Sequence, residues 1–463
     1  MRSLLWVLLA TALGLFVFVL VALDLQPPKI EYVILDSSGC GIEVHVSDNG
    51  DFRVYGRLRW NGGEEKLIFN KADENVYIVK DLCCRLPRER FFILEVAAED
   101  AWGNKASHLF ILDNGAFSFG VLLDPRAVYP MPPAEVVEKL KRAGVSAVDF
   151  NFVAHDKPWQ GYAFYNSSFL AVYPGWNVGY TYRLYKALKD AGFKVYAWLP
   201  IFRNSYLWKN HPEFRAKRAT KQGVLDSPDY FLSPSNPNVR SIALKVIREL
   251  LEEFQGLDGI SLDYFRYNED FESVDNYSVN SFREWLKSRY GISILAEEIV
   301  NGVVEGSNWK FWTQWCEFKS EVIASFVEET VSSVRELRSW AQVRGHMLPF
   351  PFIGGYYSWT VAGYDPEKVV KKGLHPIVMV YSEWAKDSNW YAKVLRGAAN
   401  VTKTYGTTYS IDINPILSEE DIKYLYKAIS FAEVKPEEIY VLIYGKNSFK
   451  SFTVHPPILE VGG

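Results

Sequence analysis

Cysteine is scarce in this chain. The four present are Cys40, Cys83, Cys84 and Cys316, and none stands in a C-x-x-C or Cys/His spacing, which excludes a zinc site built on them. An excess of either charge is also lacking: 51 Lys and Arg stand against 55 Asp and Glu, a formal net charge of −4. The electrostatic footprint of a nucleic-acid partner is therefore missing. Metal-ligand clusters are missing too. His155 and Asp156 are adjacent, but nothing else gathers round them, so neither a metal nor another cofactor is expected.

Aromatic residues, by contrast, make up 16% of the chain, with 15 Trp and 28 Tyr. Most aromatics pack cores and interfaces; the alternative is that some are stacking platforms for sugar rings. The N-terminus reads MRSLLWVLLATALGLFVFVLVALDLQPP, uncharged from Ser3 to Leu23. At about 1.5 Å per residue this run spans a bilayer core of about 30 Å. It exceeds the apolar segment of a cleaved signal peptide, and Val-Ala-Leu before Asp24 is a poor cleavage site. Residues 1–26 are read as a signal anchor, a transmembrane helix with Arg2 on the cytoplasmic side. The protein is then a single-pass protein of the cell membrane with residues 27–463 outside the cell; a cleaved signal would export the same residues. Export permits a disulfide from Cys40 to Cys83 or Cys84, while Cys316, in an aromatic helical stretch, reads as a buried thiol. Asn166, Asn276 and Asn400 head N-x-S/T sequons.

Residues 27–114 read as short strands between turns: IEYVIL, GIEVHV, FRVYGRLRW, VYIVKDL, RFFILEVAAED and ASHLFIL. In GIEVHV, Ile42, Val44 and Val46 share one face and Glu43, His45 and Ser47 the other. The stretch EVAAEDAWGNKASHLFIL resembles the last hairpin of immunoglobulin-like or fibronectin-III-like modules, with Asp-x-x-Gly-Asn at the turn.

From residue 115 to the C-terminus, apolar strands alternate with helical segments. The strands are FSFGVLL, SAVDFNFVA, FKVYAWLPIF, LDGISLDYF, HMLPFPF, PIVMVYSEW, TTYSIDI and EEIYVLIYG. Eight strands with intervening helices predict an α/β fold, a (β/α)8 TIM barrel, for residues 115–463. Barrel strands point alternate residues inward. In strand four, Gly259, Ser261 and Asp263 share the small polar face, placing Asp263 at the C-terminal mouth, where this fold keeps its active sites. By the same parity Glu383 ends the inward face of strand six, below Ile377, Met379 and Tyr381, and Asp412 that of strand seven. Glycoside hydrolysis needs two carboxyls, one to protonate the leaving oxygen and one to attack or activate water. Asp263, Glu383 and Asp412 are the catalytic candidates. Asn151, Trp198, Arg266, Tyr267, Tyr381 and Trp384 are candidates for holding substrate. Plainer readings pair Asp263 with Arg266 in an inert ion pair, place Asp412 in an Asx turn before Asn414-Pro415, and leave Glu383 solvated. Trp159, Tyr162, Tyr165 and Trp176 in the loop after strand two, and Tyr356, Tyr357 and Trp359 after strand five, would line the cleft.

The stretch LDGISLDYFRY resembles a signature of glycosyl-hydrolase-like TIM-barrel families of bacterial and archaeal surface proteins. HPEFRAKRATKQG, YFLSPSNPNVRSIALKVIRELLEEF and KVYAWLPIF resemble other parts of the same pattern, over roughly residues 117–445. Phe214 stands where the family often has Trp. The resemblance implies hydrolysis of glycosidic bonds with Asp263 as the essential carboxylate and Arg266 beside it. The expectation is a membrane-anchored extracellular glycoside hydrolase with a carbohydrate substrate and no nucleic-acid partner. The alternative is a non-catalytic carbohydrate-binding or adhesion protein on the same scaffold; a polysaccharide deacetylase would need a metal triad.

Overall fold

The computed structural model describes residues 27–35, 41–48, 51–60, 63–80, 91–113, 118–142, 145–268, 274–354, 362–385, 389–413, 424–425, 428–429, 432, 434–443 and 459–461. The expected anchor over 1–26, Cys40, Cys83, Cys84, Tyr356, Tyr357, Trp359 and the Asn414-Pro415 turn lie outside these residues. Among the described residues no helix is long and apolar enough to cross a membrane. The described residues form two compact units, one up to residue 113 together with 459–461, the other from 118 to 443.

The first unit is antiparallel. Strands β1 (Lys29–Leu35), β2 (Ile42–Ser47), β5 (Asn70–Asp73) and β6 (Val76–Val79) form one sheet in the order β1-β2-β6-β5. Strands β3 (Phe52–Trp60), β4 (Gly63–Ile68), β7 (Phe91–Asp100) and β8 (Lys105–Asp113) belong to a second. The alternation in β2 is as expected: Ile42, Val44 and Val46 are buried, and Glu43, His45 and Ser47 are half-buried on the other face. Val33 and Val44 of one sheet share a core with Val54, Leu58, Leu94 and Val96 of the other. At the β7–β8 turn, Asp100 Oδ1 accepts hydrogen bonds from the amides of Trp102 and Asn104, both at 2.8 Å, and Gly103 supplies the left-handed φ of +84°. β4 and β5 were not legible in the sequence; all four residues of β5 are exposed, so no apolar pattern marks it. The last described strand, β19 (Leu459–Val461), pairs with β8.

The second unit is a closed parallel barrel. Its strands are β9 (Ser118–Leu123), β10 (Val145–Asn151), β11 (Lys194–Pro200), β14 (Gly259–Asp263), β15 (Gln342–Met347), β16 (His375–Met379), β17 (Ser410–Ile413) and β18 (Glu438–Ile443), which returns to β9. A hairpin, β12 (Lys217–Thr220) and β13 (Gly223–Asp226), is inserted after β11. Helices Pro133–Arg142, Val178–Asp190, Pro237–Glu253, Trp312–Leu337, Pro366–Lys371 and Trp390–Thr404 connect the barrel strands. The SPSNPNVR stretch starts one of them: the Asn236 side chain accepts from the Asn238 amide, and Pro237 takes the first helical position. Cys316 is buried, as expected.

The expected strand over HMLPFPF is corrected by the structure. β15 is QVRGHM, and Phe350–Phe352 form a single 3-10 turn. The barrel interior at this level is polar, so the inward residues of β15 are Arg344 and His346, and no apolar run announces the strand. Arg344 is fully buried. Its Nη2 lies 2.9 Å from Glu438 and its Nη1 3.6 Å from Asp149. Nη1 also donates to the Tyr440 hydroxyl at 2.6 Å, and the Tyr196 ring lies 4.1 Å from the guanidinium.

Candidate active site

Strand β14 delivers Asp263 to the mouth because its neighbours on the inward face are small. A Cβ on Gly259 would stand 2.0 Å from the Gln342 carbonyl of β15, so only glycine permits this approach. Beyond Asp263 the backbone turns sharply: Tyr264 has a φ of +48°, a costly conformation for a bulky residue. The turn brings the Tyr264 amide back to donate to Asp263 Oδ1 at 2.7 Å. Trp198, inward on β11, donates its indole N–H to Asp263 Oδ2 at 3.2 Å. Burial pushes the Asp263 carboxyl up, against the His346 charge, the Tyr264 amide, the Arg266 charge and the Trp198 N–H, which pull it down.

His155 completes this carboxyl's surroundings. Its ring stacks on Trp198 with centroids 3.9 Å apart, and its Nε2 faces Asp263 Oδ2 at 3.5 Å. Neighbours fix its tautomer. Asn151, the last residue of β10, donates Nδ2–H to Asp124 Oδ2 at 3.1 Å, so its Oδ1 is the acceptor for His155 Nδ1–H at 2.9 Å. Nε2 is left with a bare lone pair. Burial, then the positive charges of His346 and Arg203, hold the imidazole well below its ordinary pKa, so it is neutral. Asp124 is itself held by Arg126, which also reaches Asp156 at 2.8 Å.

On the opposite side, Asp412 Oδ2 accepts the Tyr381 hydroxyl at 2.6 Å and faces His346 Nδ1 at 3.4 Å. The other His346 nitrogen lies 3.1 Å from Asp149. Burial resists charge on His346, but a carboxylate at each nitrogen outweighs it and holds the pKa up to about 9. Burial, assisted by the Asp263 charge, pushes the Asp412 carboxyl up against His346 and Tyr381. Asp412 Oδ1 has no hydrogen-bond partner among the described residues.

The structure thus brings together Asp263, Asp412, Asn151, Trp198 and Tyr381. It does not extend β16 to Glu383. That strand ends at Met379, and Ser382–Trp384 form a 3-10 turn in which Glu383 is exposed. Trp384 is half-buried with its ring 4.9 Å from Tyr381. Arg266 makes no ion pair with Asp263; its Nη1 donates to the Tyr267 carbonyl at 3.2 Å, and its guanidinium lies over the Tyr264 ring. The Tyr267 side chain is fully buried, with Lys319 over its ring. Of the aromatic loop after β10, Tyr165 is buried and bonded to Glu249, and the Trp176 indole donates to Thr181. His346, Asp149 and Asp124 were missed in the sequence, and His155 was weighed there only as a metal ligand beside Asp156. Parity along VSAVDFN would have set Asp149 beside Asn151 on the inward face; His346 was hidden by the misplaced fifth strand. Among the described residues, no group of three His, Cys, Asp or Glu could hold a metal ion.

No protein-family model matches the chain, and no curated protein matches its sequence. Solved structures do. The glycoside hydrolase domain of PgaB (BpsB) from Bordetella bronchiseptica aligns with a TM-score of 0.55 and 15% identity, over 72% of this chain and 95% of that domain. The catalytic domain of a β-amylase from Paenibacillus polymyxa aligns with a TM-score of 0.52 and 13% identity, over 72% of this chain and 93% of that one. A β-galactosidase from Rahnella sp. R3 gives a TM-score of 0.50 and 12% identity, over 71% of this chain and 50% of that one. At these identities the likeness is one of fold, the (β/α)8 barrel.

Proposed function

We propose that the chain is a glycoside hydrolase acting on a polysaccharide or glycoconjugate through carboxylate acid/base catalysis. One observation carries this reading: two buried carboxyls, Asp263 and Asp412, end the inward faces of the fourth and seventh barrel strands, and each is held by designated donors. Asp263, its carboxyl raised by burial, protonates the glycosidic oxygen. Asp412 is the second carboxyl. Tyr381 and the His346 imidazolium engage one of its oxygens and favour its ionised form, leaving Oδ1 for the sugar or the attacking water. Trp198, buried against His155, positions Asp263; Trp384 is an aromatic surface for the glycan, and Glu383 stands at the rim. The fold shared with glycoside hydrolases supports the reading.

The uncharged run from Ser3 to Leu23 supports a membrane anchor with the barrel outside the cell, and the antiparallel first unit would then serve as an immunoglobulin-like spacer. The test is release of reducing ends from a panel of polysaccharides by the full chain in detergent, with Asp263→Asn alongside. Release that vanishes in the variant supports hydrolysis; glycan binding without release identifies a carbohydrate-binding protein instead. Protease added to intact cells reads the orientation, since an exported barrel is digested and an internal one is not.

A further inference from the structure

Two arginines stand beside Asp263 with no carboxylate at ion-pair distance among the described residues. Arg203 follows β11 and Arg266 follows β14, both at the C-terminal end of the barrel. Their guanidinium carbons lie 4.5 and 5.2 Å from the centre of the Tyr264 ring, and 5.9 and 5.8 Å from that of Phe231. Both side chains are half-buried. Several other cations in the surrounding loops are paired: Arg126 with Asp124 and Asp156, Lys157 with Asp229, Arg215 and Lys217 with Asp226. Neither Arg203 nor Arg266 has a carboxylate at ion-pair distance among the described residues. Arg266 donates to the Tyr267 carbonyl. Arg203 donates to the Asp229 carbonyl at 3.2 Å and, with the Gln160 amide oriented to accept, to Gln160 at 2.7 Å. A guanidinium has five N–H donors, so both keep donors to spare. Cation–π contact explains where the planes lie; among the described residues it leaves those in-plane donors and both charges unanswered.

The backbone round the pair is strained. Among the described residues, three that are not glycine have positive φ: Asp229 and Tyr230, both at 61°, and Tyr264 at 48°. All three serve this patch. The Asp229 carbonyl holds Arg203, the Tyr230 carbonyl accepts the Asn204 amide at 3.1 Å, and Tyr264 is the ring between the arginines. Strain gathered at one place points to function there.

We propose that Arg203 and Arg266 form an anion subsite at the barrel mouth, and that the substrate is an acidic glycan whose carboxylate, sulfate or phosphate group sits on the sugar next to the scissile bond. Placement beside a scissile bond rests on the hydrolase reading; the subsite does not. A planar guanidinium fork matches each of these groups bidentately, whereas a neutral glycan would offer these half-buried charges no counter-ion.

The test measures glycan binding by the full chain in an Asp263→Asn background, where turnover is blocked. Matched pairs are compared: oligogalacturonate with oligogalactose, a sulfated with an unsulfated galactan oligosaccharide, and a phosphodiester-linked glycan with its neutral backbone. Arg203→Gln, Arg266→Gln and the double variant are included, with thermal unfolding to confirm that each is folded. The expected result is at least tenfold tighter binding of one acidic partner, a loss of most of that preference in either single variant, and its abolition in the double. The arm that responds identifies the anion. Equal binding within every pair, or a preference that survives in the folded double variant, overturns the proposal. Turnover by the wild type is scored separately: an acidic glycan bound through the arginines but never cleaved sinks the hydrolase reading and keeps the subsite, whereas neutral glycan cleaved through Asp263 without acid preference does the reverse.

Discussion

His155 turns an unprotonated nitrogen toward Asp263. Nε2 and Oδ2 are 3.5 Å apart, and the chain from Asp124 through Asn151 keeps the imidazole proton on the far nitrogen. A bare lone pair beside a buried carboxyl favours the protonated carboxylic acid, because only that form can donate to it.

His155→Ala removes this acceptor. The basic limb of the kcat/KM profile is expected to move to lower pH, with activity at neutral pH falling about tenfold, the equivalent of one lost hydrogen bond to a charged-site partner. His155→Gln, which can still accept, should restore part of the limb. A purely packing role would lower the rate and leave the limb in place.

Asp263→Asn should abolish catalysis without unfolding the protein. General acid catalysis contributes roughly 10²–10⁴ in rate. Because burial raises this carboxyl in the folded state, it costs stability that sets in as pH rises above the unfolded-state pKa, grows up to the folded value and stays constant beyond it. The neutral amide escapes it. The melting temperature at pH 7 is therefore expected to be no lower than that of the wild type, measured calorimetrically on the full chain.

For His346 the sign is opposite. Its pKa is raised from 6.5 to about 9, so its contribution is fully present below about pH 6.5 and is lost as pH climbs through about 9. The contribution is about 3 kcal/mol as an order of magnitude. Denaturant unfolding should show wild-type stability declining between these values, and His346→Gln should be less stable at pH 6 with a flatter profile. Identical profiles for both proteins would show that the imidazole is not charged by its two carboxylates.

Arg344→Met takes the counter-charge from Glu438 inside the barrel and leaves Asp149 with His346 alone. Breaking a buried pair typically costs about 3–5 kcal/mol. Adding Glu438→Gln should recover a large share of the loss, since the Glu438 oxygen pairs with Arg344 at 2.9 Å. Chemical denaturation of the single and double variants measures the coupling.

Much of the barrel was legible because its strands and helices differ in apolar period. Strand-four parity put Asp263 at the mouth, and strand-seven parity put Asp412 on the same inward face. The reading failed where polarity replaced apolarity. Arg344 and His346 look like loop residues until Asp149, Asp412 and Glu438 supply their counter-charges from distant strands. Parity also overran the end of β16: alternation carries Glu383 inward only if the strand continues, and the chain turns at Ser382 instead. The histidines of the site needed tertiary knowledge. His155 contributes through a stack on Trp198 and a bond to Asn151, neither of which adjacency to Asp156 suggests.

The charged barrel interior has a consequence for assembly. Arg344 and His346 alternate with Val343 and Gly345 along β15. Sliding this strand by one residue against β14 or β16 would turn a guanidinium and an imidazolium out among the apolar helices, and would leave Asp149, Asp412 and Glu438 facing aliphatic carbon. An all-aliphatic barrel would tolerate such a slip at modest cost. Here the ion pairs work as a key cut for one alignment, so closure of the sheet and placement of the mouth carboxyls are decided in the same step.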